Sequence, residues 1–472
     1  ERHMSDQEAL MWNIEKDPWM NPSGAILTIF DRPVDFDLLV GRIRAGLARL
    51  PRLRERVVPG LGRLSPPVWV TDPDFDLSYH ARLLSLPAPG SIRQLLDLAT
   101  RLYEEPYDRT RPLWMFYAIE GVEGGKGALL VKQHHSVADG IGALRMAEMY
   151  TDLERTPPPP PDVDLAEITG GSTSSGADIG TSILDTASRT LSHNLRRGGG
   201  ILTRTVGDVA RAITHPAELP ATVAGAAGQV LGTLEMAGGG RGGQARSSLW
   251  TNRSRRRHLE SLRLSVEDAK AAAKALGGTL NDLFVAGAAL GAFAYHAERD
   301  APIEVLNMTF VVSTRADKAM GGNAFTPVPI QVPRGGELTA EERLHQLRDL
   351  MAERRRRVRG RGPMSAIAGI ANILPTSVTT RIARQQATKV DLATSNLRGA
   401  PFQTYIAGAQ VLRAIPLGPV AGTAANLTTI SQNGWLDMGL LADPAAIADP
   451  GGLAANIDAS YRELLAAGGI VG

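Results

Sequence analysis

The sequence predicts an α/β protein built from two layered domains, and three observations carry that expectation. Short apolar runs that read as strands alternate with amphipathic runs that read as helices, in both halves of the chain. At 472 residues the chain exceeds what one hydrophobic core ordinarily serves. Between the halves the composition breaks: the polyproline run Pro157–Pro161, a semi-rigid spacer, leads into a Gly/Ser/Thr-rich stretch at 170–176. The expected organisation is an N-terminal domain over 1–156, a connector over 157–246 and a C-terminal domain over 247–472.

In order along the chain, Ser5 can cap a helix that carries Leu10, Met11 and Trp12, and Glu8 can close a capping box. Gly24–Phe30 reads as a buried strand. Asp35–Leu50 reads as a helix with Leu38, Leu39, Ile43 and Leu47 on one side. Val68–Tyr79 is strand-like and broken by turns. Ser91–Tyr103 is a helix that turns Ile92, Leu95, Leu96 and Ala99 inward. Leu113–Ile119 and Gly127–His134 are strands joined by a Gly-rich turn, and Ile141–Tyr150 is a helix.

The connector holds weak amphipathic segments, such as Ile201–Ile213, broken by glycine runs. Beyond it, Ser265–Leu276 is helical. Asn281–Ala297 is so apolar that it is expected to be buried nearly all round. Val305–Val312 is a strand that ends in Ser313, Thr314 and Arg315, and Thr339–Arg357 is a helix with a basic end. Val390–Ser395, Thr404–Leu412, Ala424–Ser431 and Leu436–Leu441 read as strands. Asp449 can cap the final helix, with Pro450 in its first position.

Composition narrows the function. The net charge of +2 gives no global attraction to nucleic acid. The absence of cysteine removes disulfides, thiolate zinc sites and a cysteine nucleophile, and fits a cytoplasmic setting. The first 19 residues lack a signal-peptide pattern, and no window offers the roughly 18 consecutive apolar residues of a membrane span. Any membrane contact is expected to be peripheral.

The most informative stretch is Val131–Gly140, VKQHHSVADG, where a strand gives way to a helix. His134 and His135 admit four readings. Adjacent strand residues point to opposite faces, so the pair is poorly placed to share a metal ion. Two satisfied structural histidines are a second reading. A Ser-His arrangement through Ser136 lacks the Gly-x-Ser-x-Gly elbow. In the fourth, one neutral imidazole faces a cleft as general base, Asp139 sits at the favourable start of a helix, and Gly140 permits close approach.

HHSVADG resembles the HHxxxDG signature of the CoA-dependent acyltransferase superfamily. Pro112-Leu113-Trp114 resembles the PLW motif of its wax ester synthase/diacylglycerol acyltransferase branch. Leu280–Ala286 resembles that branch's NDVVLA motif, and Ser395–Pro401 its SNVPGP stretch, with Arg398 and Ala400 as departures. Met4–Trp12 with Asn21-Pro22, Gly408-Ala409 and Pro416–Pro419 also match, so the resemblance runs from near residue 4 to near 465.

This resemblance implies two chloramphenicol-acetyltransferase-like domains, each a mixed sheet flanked by helices, facing each other across a central channel. It implies transfer of a long acyl chain from acyl-CoA to diacylglycerol or a fatty alcohol, with no cofactor and no metal. The resemblance would also put any peripheral membrane contact on the inner membrane or on lipid droplets. His135 would be the base, His134 its support, and Asp139 an architectural residue with Arg315 as its candidate partner. Pro112, Leu113, Trp114, Asn281, Asp282, Ser395 and Asn396 become candidate substrate-binding positions.

For Asn281, an oxyanion donor competes with a plain helix cap. For Trp114, a channel wall competes with a core aromatic. The run Arg354–Arg357, Arg359 and Arg361 is a solvated helix end, a site for CoA phosphates, or, with the apolar stretch Met364–Leu374, a lipid contact. Two alternatives to the leading function are a condensation-type or polyketide-associated acyltransferase and a non-enzymatic lipid-binding protein.

Overall fold

A computed structural model describes residues 2–60, 67–137, 146–169, 247–313, 325–336, 338–359 and 376–470. Structural statements concern these residues. The first half contains β1 (Arg2–His3), α1 (Asp6–Ile14), β2 (Ser23–Phe30), α2 (Phe36–Arg49), β3 (Glu55–Val58) and β4 (Val68–Thr71). It continues through α3 (Leu77–His80), β5 (Ala81–Ser85), α4 (Ile92–Glu104), β6 (Trp114–Val122), β7 (Lys126–His134) and α5 (Leu165–Thr169). The second half contains β8 (His258–Ser265), α6 (Val266–Ala275), α7 (Leu280–Ala297), β9 (Val305–Ser313), β10 (Phe325–Pro333), α8 (Ala340–Arg359) and α9 (Thr376–Ala387). There follow β11 (Leu392–Arg398), β12 (Tyr405–Ile406), β13 (Ala409–Leu417), β14 (Ala425–Gln432), β15 (Trp435–Ala442) and α10 (Pro450–Ala467).

Two six-stranded mixed sheets form the body, flanked by helices. The first has the order β12-β13-β2-β7-β6-β5, with β5 parallel to β6 and its other pairs antiparallel. The second has the order β10-β9-β11-β14-β15-β8, with β11 parallel to both its neighbours. A small sheet, β1-β4-β3, stands apart. Local sequence explains the helix starts: Ser5 with Glu8 and Ser91 with Gln94 form capping boxes, and Asp35 accepts from the Leu38 amide. β7 lies inside its sheet, and Gly127–Lys132 is buried throughout, hence its near-continuous apolar run.

The second sheet is covered by α7 and α10. Thirteen of the eighteen α7 residues are buried, and Tyr461 of α10 donates to the Phe284 carbonyl at 2.7 Å. α7 begins one residue earlier than expected, at Leu280, because Thr279 is the cap and forms a capping box with Asp282.

Several elements escaped the sequence reading: β3, β5, β8, β10 and α9. The expected strand Thr404–Leu412 is instead a hairpin. Ala407 and Gly408, with φ of 43° and 81°, turn β12 back into β13, which runs on to Leu417.

The two sheets exchange material. β13, from the second half of the chain, pairs antiparallel with β2 and so completes the first sheet. A domain cut near residue 247 therefore leaves Tyr405–Leu417 on the far side of the sheet they belong to. β13 also presses on β15 so tightly that a Cβ on Gly439 would lie 2.0 Å from the Pro416 carbonyl oxygen.

One buried carboxylate fastens this crossing. Asp437 of β15 is fully buried and accepts from Arg263 Nε at 2.6 Å, Arg413 Nε at 3.4 Å and the Ala414 amide at 3.0 Å. Residues from β8, β13 and β15 thus meet on one acid.

Candidate functional site

His134 closes β7, pairing with Ser23 of β2, while its amide donates to the Leu113 carbonyl just before β6. The chain then turns sharply: the Val137 amide donates back to the His134 carbonyl at 2.9 Å, and the His135 amide donates to the Pro22 carbonyl at 3.0 Å. The two imidazoles diverge at this turn. His134 has no exposed surface, whereas His135 is half-buried with its ring over Gly24, where an added Cβ would lie 3.6 Å from His135 Cε1.

The surroundings of His134 fix its tautomer. The Ser136 amide donates to Nδ1 at 3.1 Å, and Ser136 Oγ lies 2.6 Å from the same nitrogen. With Nδ1 accepting, the proton resides on Nε2, which points toward Glu15 Oε2 at 3.6 Å. Ser136 is buried as well, and its amide and hydroxyl both bond back to His134 across the turn.

Behind the histidines lies a charged support absent from the sequence reading. Glu15 accepts from Arg109 Nη1 at 2.7 Å. Arg109 also donates to the Trp12 carbonyl at 2.9 Å and lies 3.3 Å from the centre of the Trp12 ring. Lys132, fully buried on β7, donates to the Leu102 and Glu105 carbonyls at the end of α4. These contacts join residues some 30 to 100 positions apart, so no local spacing announces them.

Burial sets the protonation. It pushes the His134 imidazole well below its usual range, with the charges of His135, Arg109 and Lys132 adding to the effect. It lowers His135 too, and takes the Lys132 ammonium down to about 8. Burial raises the Glu15 carboxyl, opposed by Arg109 and Lys132.

The other expected positions divide. Pro112 and Leu113 are buried beside the end of β7. Trp114 is fully buried in the core: its Nε1 donates to the Leu53 carbonyl at 2.8 Å, and its ring stacks on His80 with centroids 4.4 Å apart. Its surface is consumed by protein contacts. Asp282 is the capping partner of Thr279, which frees Asn281 from the cap role considered for it.

Asn281 and Asn396, 115 residues apart, meet: Asn396 Nδ2 donates to Asn281 Oδ1 at 3.3 Å, and both are half-buried. Ser395, also half-buried, is the β11 residue before Asn396 and pairs across with Thr428. Asp139, Gly140, Arg315, Arg361 and Met364–Leu374 lie outside the described residues, as does 170–246 of the connector.

Two mixed sheets flanked by helices, joined by an exchanged strand and carrying a histidine pair at the end of a central strand, define the chloramphenicol-acetyltransferase-like class of acyltransferase. The model of the wax ester synthase/diacylglycerol acyltransferase catalytic domain matches residues 4–284, and that of the WS/DGAT C-terminal domain matches 321–465. The chain belongs to this family and is an acyltransferase.

A Mycobacterium tuberculosis (strain H37Rv) protein bearing the name diacylglycerol O-acyltransferase is 31% identical over 468 residues, covering 98% of this chain and 91% of its own. A second from the same strain is 30% identical over 432 residues, covering 89% and 86%. The wax ester synthase/diacylglycerol acyltransferase structure from Marinobacter aquaeolei VT8 superposes with a TM-score of 0.63 at 22% identity, over 99% of this chain and 100% of that one. The starter condensation domain of rhizomide synthetase, solved with C8-CoA and Leu-SNAC, shares the fold with a TM-score of 0.56 at 14% identity, over 99% and 94%.

Proposed function

We propose that the protein transfers a long-chain acyl group from acyl-CoA to the hydroxyl of diacylglycerol, a fatty alcohol or both, with His135 as general base. The observation that carries this reading is the divergence of the two imidazoles. His134 is locked inside the fold by Ser136, while His135, just past the end of β7, is only half-buried as a residue. Burial keeps His135 neutral near pH 7, the form able to accept a proton.

In the proposed reaction His135 takes the proton of the acceptor hydroxyl as its oxygen attacks the thioester carbonyl carbon. The C–O bond forms, the C–S bond breaks, and the imidazolium returns the proton to the departing CoA thiolate. No covalent enzyme intermediate is needed. Asn281 supports this chemistry as a donor to the developing oxyanion: its Oδ1 is occupied by Asn396, and its own Nδ2 donates to no described residue. Asp139 and Gly140 are proposed to hold the turn that follows the histidines. The sheets would face the substrates across the channel expected from the family, and acceptor delivery would involve peripheral contact with a lipid surface. No single helix among the described residues is long and apolar enough to cross a membrane.

The test is thiol release from palmitoyl-CoA in the presence of dioleoylglycerol or hexadecanol, with product identified by chromatography. Release that depends on either hydroxyl acceptor is expected. Release with neither acceptor, or an undiminished rate in His135→Ala, would overturn the reading.

A further inference from the structure

At the far end of the first sheet from the histidines there is a polar cleft. It is an open cleft of about 510 Å³, formed where the exchanged strand β13 meets β2 and the second sheet. Ile29 on its wall pairs with Ala128, six residues before His134, so the cleft lies roughly 20 Å from the histidine pair at about 3.3 Å per strand residue.

Its lining is one-sided in charge. Lys126, Arg263 and Arg413 face it, and among the described residues no acid lines it. Among the described residues the one carboxylate in contact with these cations is Asp437, held behind the two arginines. Both guanidiniums spend Nε and Nη2 inward: Arg263 on Asp437 and the Leu412 carbonyl, Arg413 on Asp437 and the Leu262 carbonyl. Their Nη1 groups, and Lys126 Nζ, donate to nothing among the described residues. Three cationic donors therefore converge on one cavity against a single buried negative charge.

The rim adds an apolar shelf. Trp435 is 42% exposed with Arg263 stacked 4.7 Å from its ring centre, and Phe402, next to the lining Gln403, is 51% exposed. Convergent guanidinium and ammonium donors match a tetrahedral oxyanion better than a planar neutral group. Exposed aromatics at the mouth favour an anion that carries an apolar neighbour.

We propose that this cleft is a phosphate-binding site, separate from the acyl-transfer centre, that takes a phosphoryl group either from an anionic phospholipid headgroup or from a soluble phosphate compound. Lys126 is the informative position to change. Its Nζ donates to nothing among the described residues, whereas Arg263 and Arg413 hold the two sheets together.

The experiment uses the full chain and its Lys126→Glu variant. One arm measures co-sedimentation with phosphatidylcholine vesicles with and without phosphatidic acid. The other measures inorganic phosphate binding by calorimetry. Salt-sensitive binding in either arm, weakened about tenfold by Lys126→Glu, is the expected result. Vesicle binding alone identifies the lipid source, and inorganic phosphate binding identifies the soluble one. No binding in either arm, or binding unchanged in Lys126→Glu, overturns the proposal. So does displacement of the bound phosphate by CoA, which would make the cleft part of the donor site. Thiol release is measured in parallel, so a failure of the acyl-transfer reading registers independently.

Discussion

Glu15 Oε2 and His134 Nε2 stand 3.6 Å apart, joining a residue just past the first helix to the buried member of the histidine pair. The carboxylate reinforces the tautomer already imposed by the Ser136 amide, and through it the turn that carries His135. Glu15 is thus a positioning residue for the proposed base. Glu15→Gln is expected to lower kcat by about tenfold, the worth of one charge-assisted contact, with little change in KM. Glu15→Asp should recover part of the loss. Steady-state thiol release, beside circular dichroism to show an intact fold, is the check. A kcat within about twofold of the parent would remove the role.

Trp114 separates packing from substrate contact. Since the indole is enclosed and hydrogen-bonded to the Leu53 carbonyl, Trp114→Ala should cost about 3–5 kcal/mol of stability, read from urea unfolding. Trp114→Phe keeps most of the volume and should retain turnover on every acyl chain length tried. A shift in acyl-length preference with unchanged stability would instead make Trp114 a channel residue.

Asp437 is the residue on which the joining of the sheets depends. Asp437→Asn leaves Arg263 and Arg413 without their shared carboxylate, and a loss of about 3 kcal/mol or more is expected in chemical unfolding. Arg413→Lys should cost less, because it preserves a charge. If Asp437→Asn unfolded at the parental denaturant concentration, the latch would carry no weight.

His80 predicts a pH dependence. Its ring is stacked against Phe75 and Trp114, Nδ1 bonds the Trp114 carbonyl, and burial lowers its pKa to about 4. Between about 6.5 and 4 the unfolded chain holds a proton that the folded one refuses. Stability therefore falls as pH falls through that window. His80 alone should contribute about 2 kcal/mol of loss between pH 6.5 and 5. His134, lowered for the same reason, adds to the slope in the same direction. His80→Phe should flatten the profile relative to the parent, whatever its baseline stability. Parallel profiles from unfolding at a series of pH values would refute the assignment.

What the sequence revealed, and what it hid, follows from the range of the interactions. β2, α2, α4, β7 and α10 were legible because apolar period and caps are local signals. β3, β5 and β8 were missed because each is short or polar on one face and is held by its partners. The expectation that one histidine packs inward while the other does not rests on strand alternation, whereas in the structure the strand ends at His134 and a turn separates the two. Glu15 and Arg109 were invisible, being joined to the histidines only by the folded chain. Thr279, one residue upstream of the motif, took the capping role that had been weighed for Asn281. The exchange of β13 left no trace in its composition, since a buried strand reads the same whichever sheet receives it.

That exchange has a consequence for the order of events during synthesis. β2 leaves the ribosome early, but its edge partner β13 ends at Leu417. At about 5–20 residues per second the nascent first sheet waits on the order of tens of seconds with one edge open. Through that interval the unpaired backbone of Ser23–Phe30 is a template for any passing strand. A fragment that stops before Tyr405 would retain that open edge permanently and should associate with itself. The late-arriving hairpin is therefore what covers the chain's own early edge.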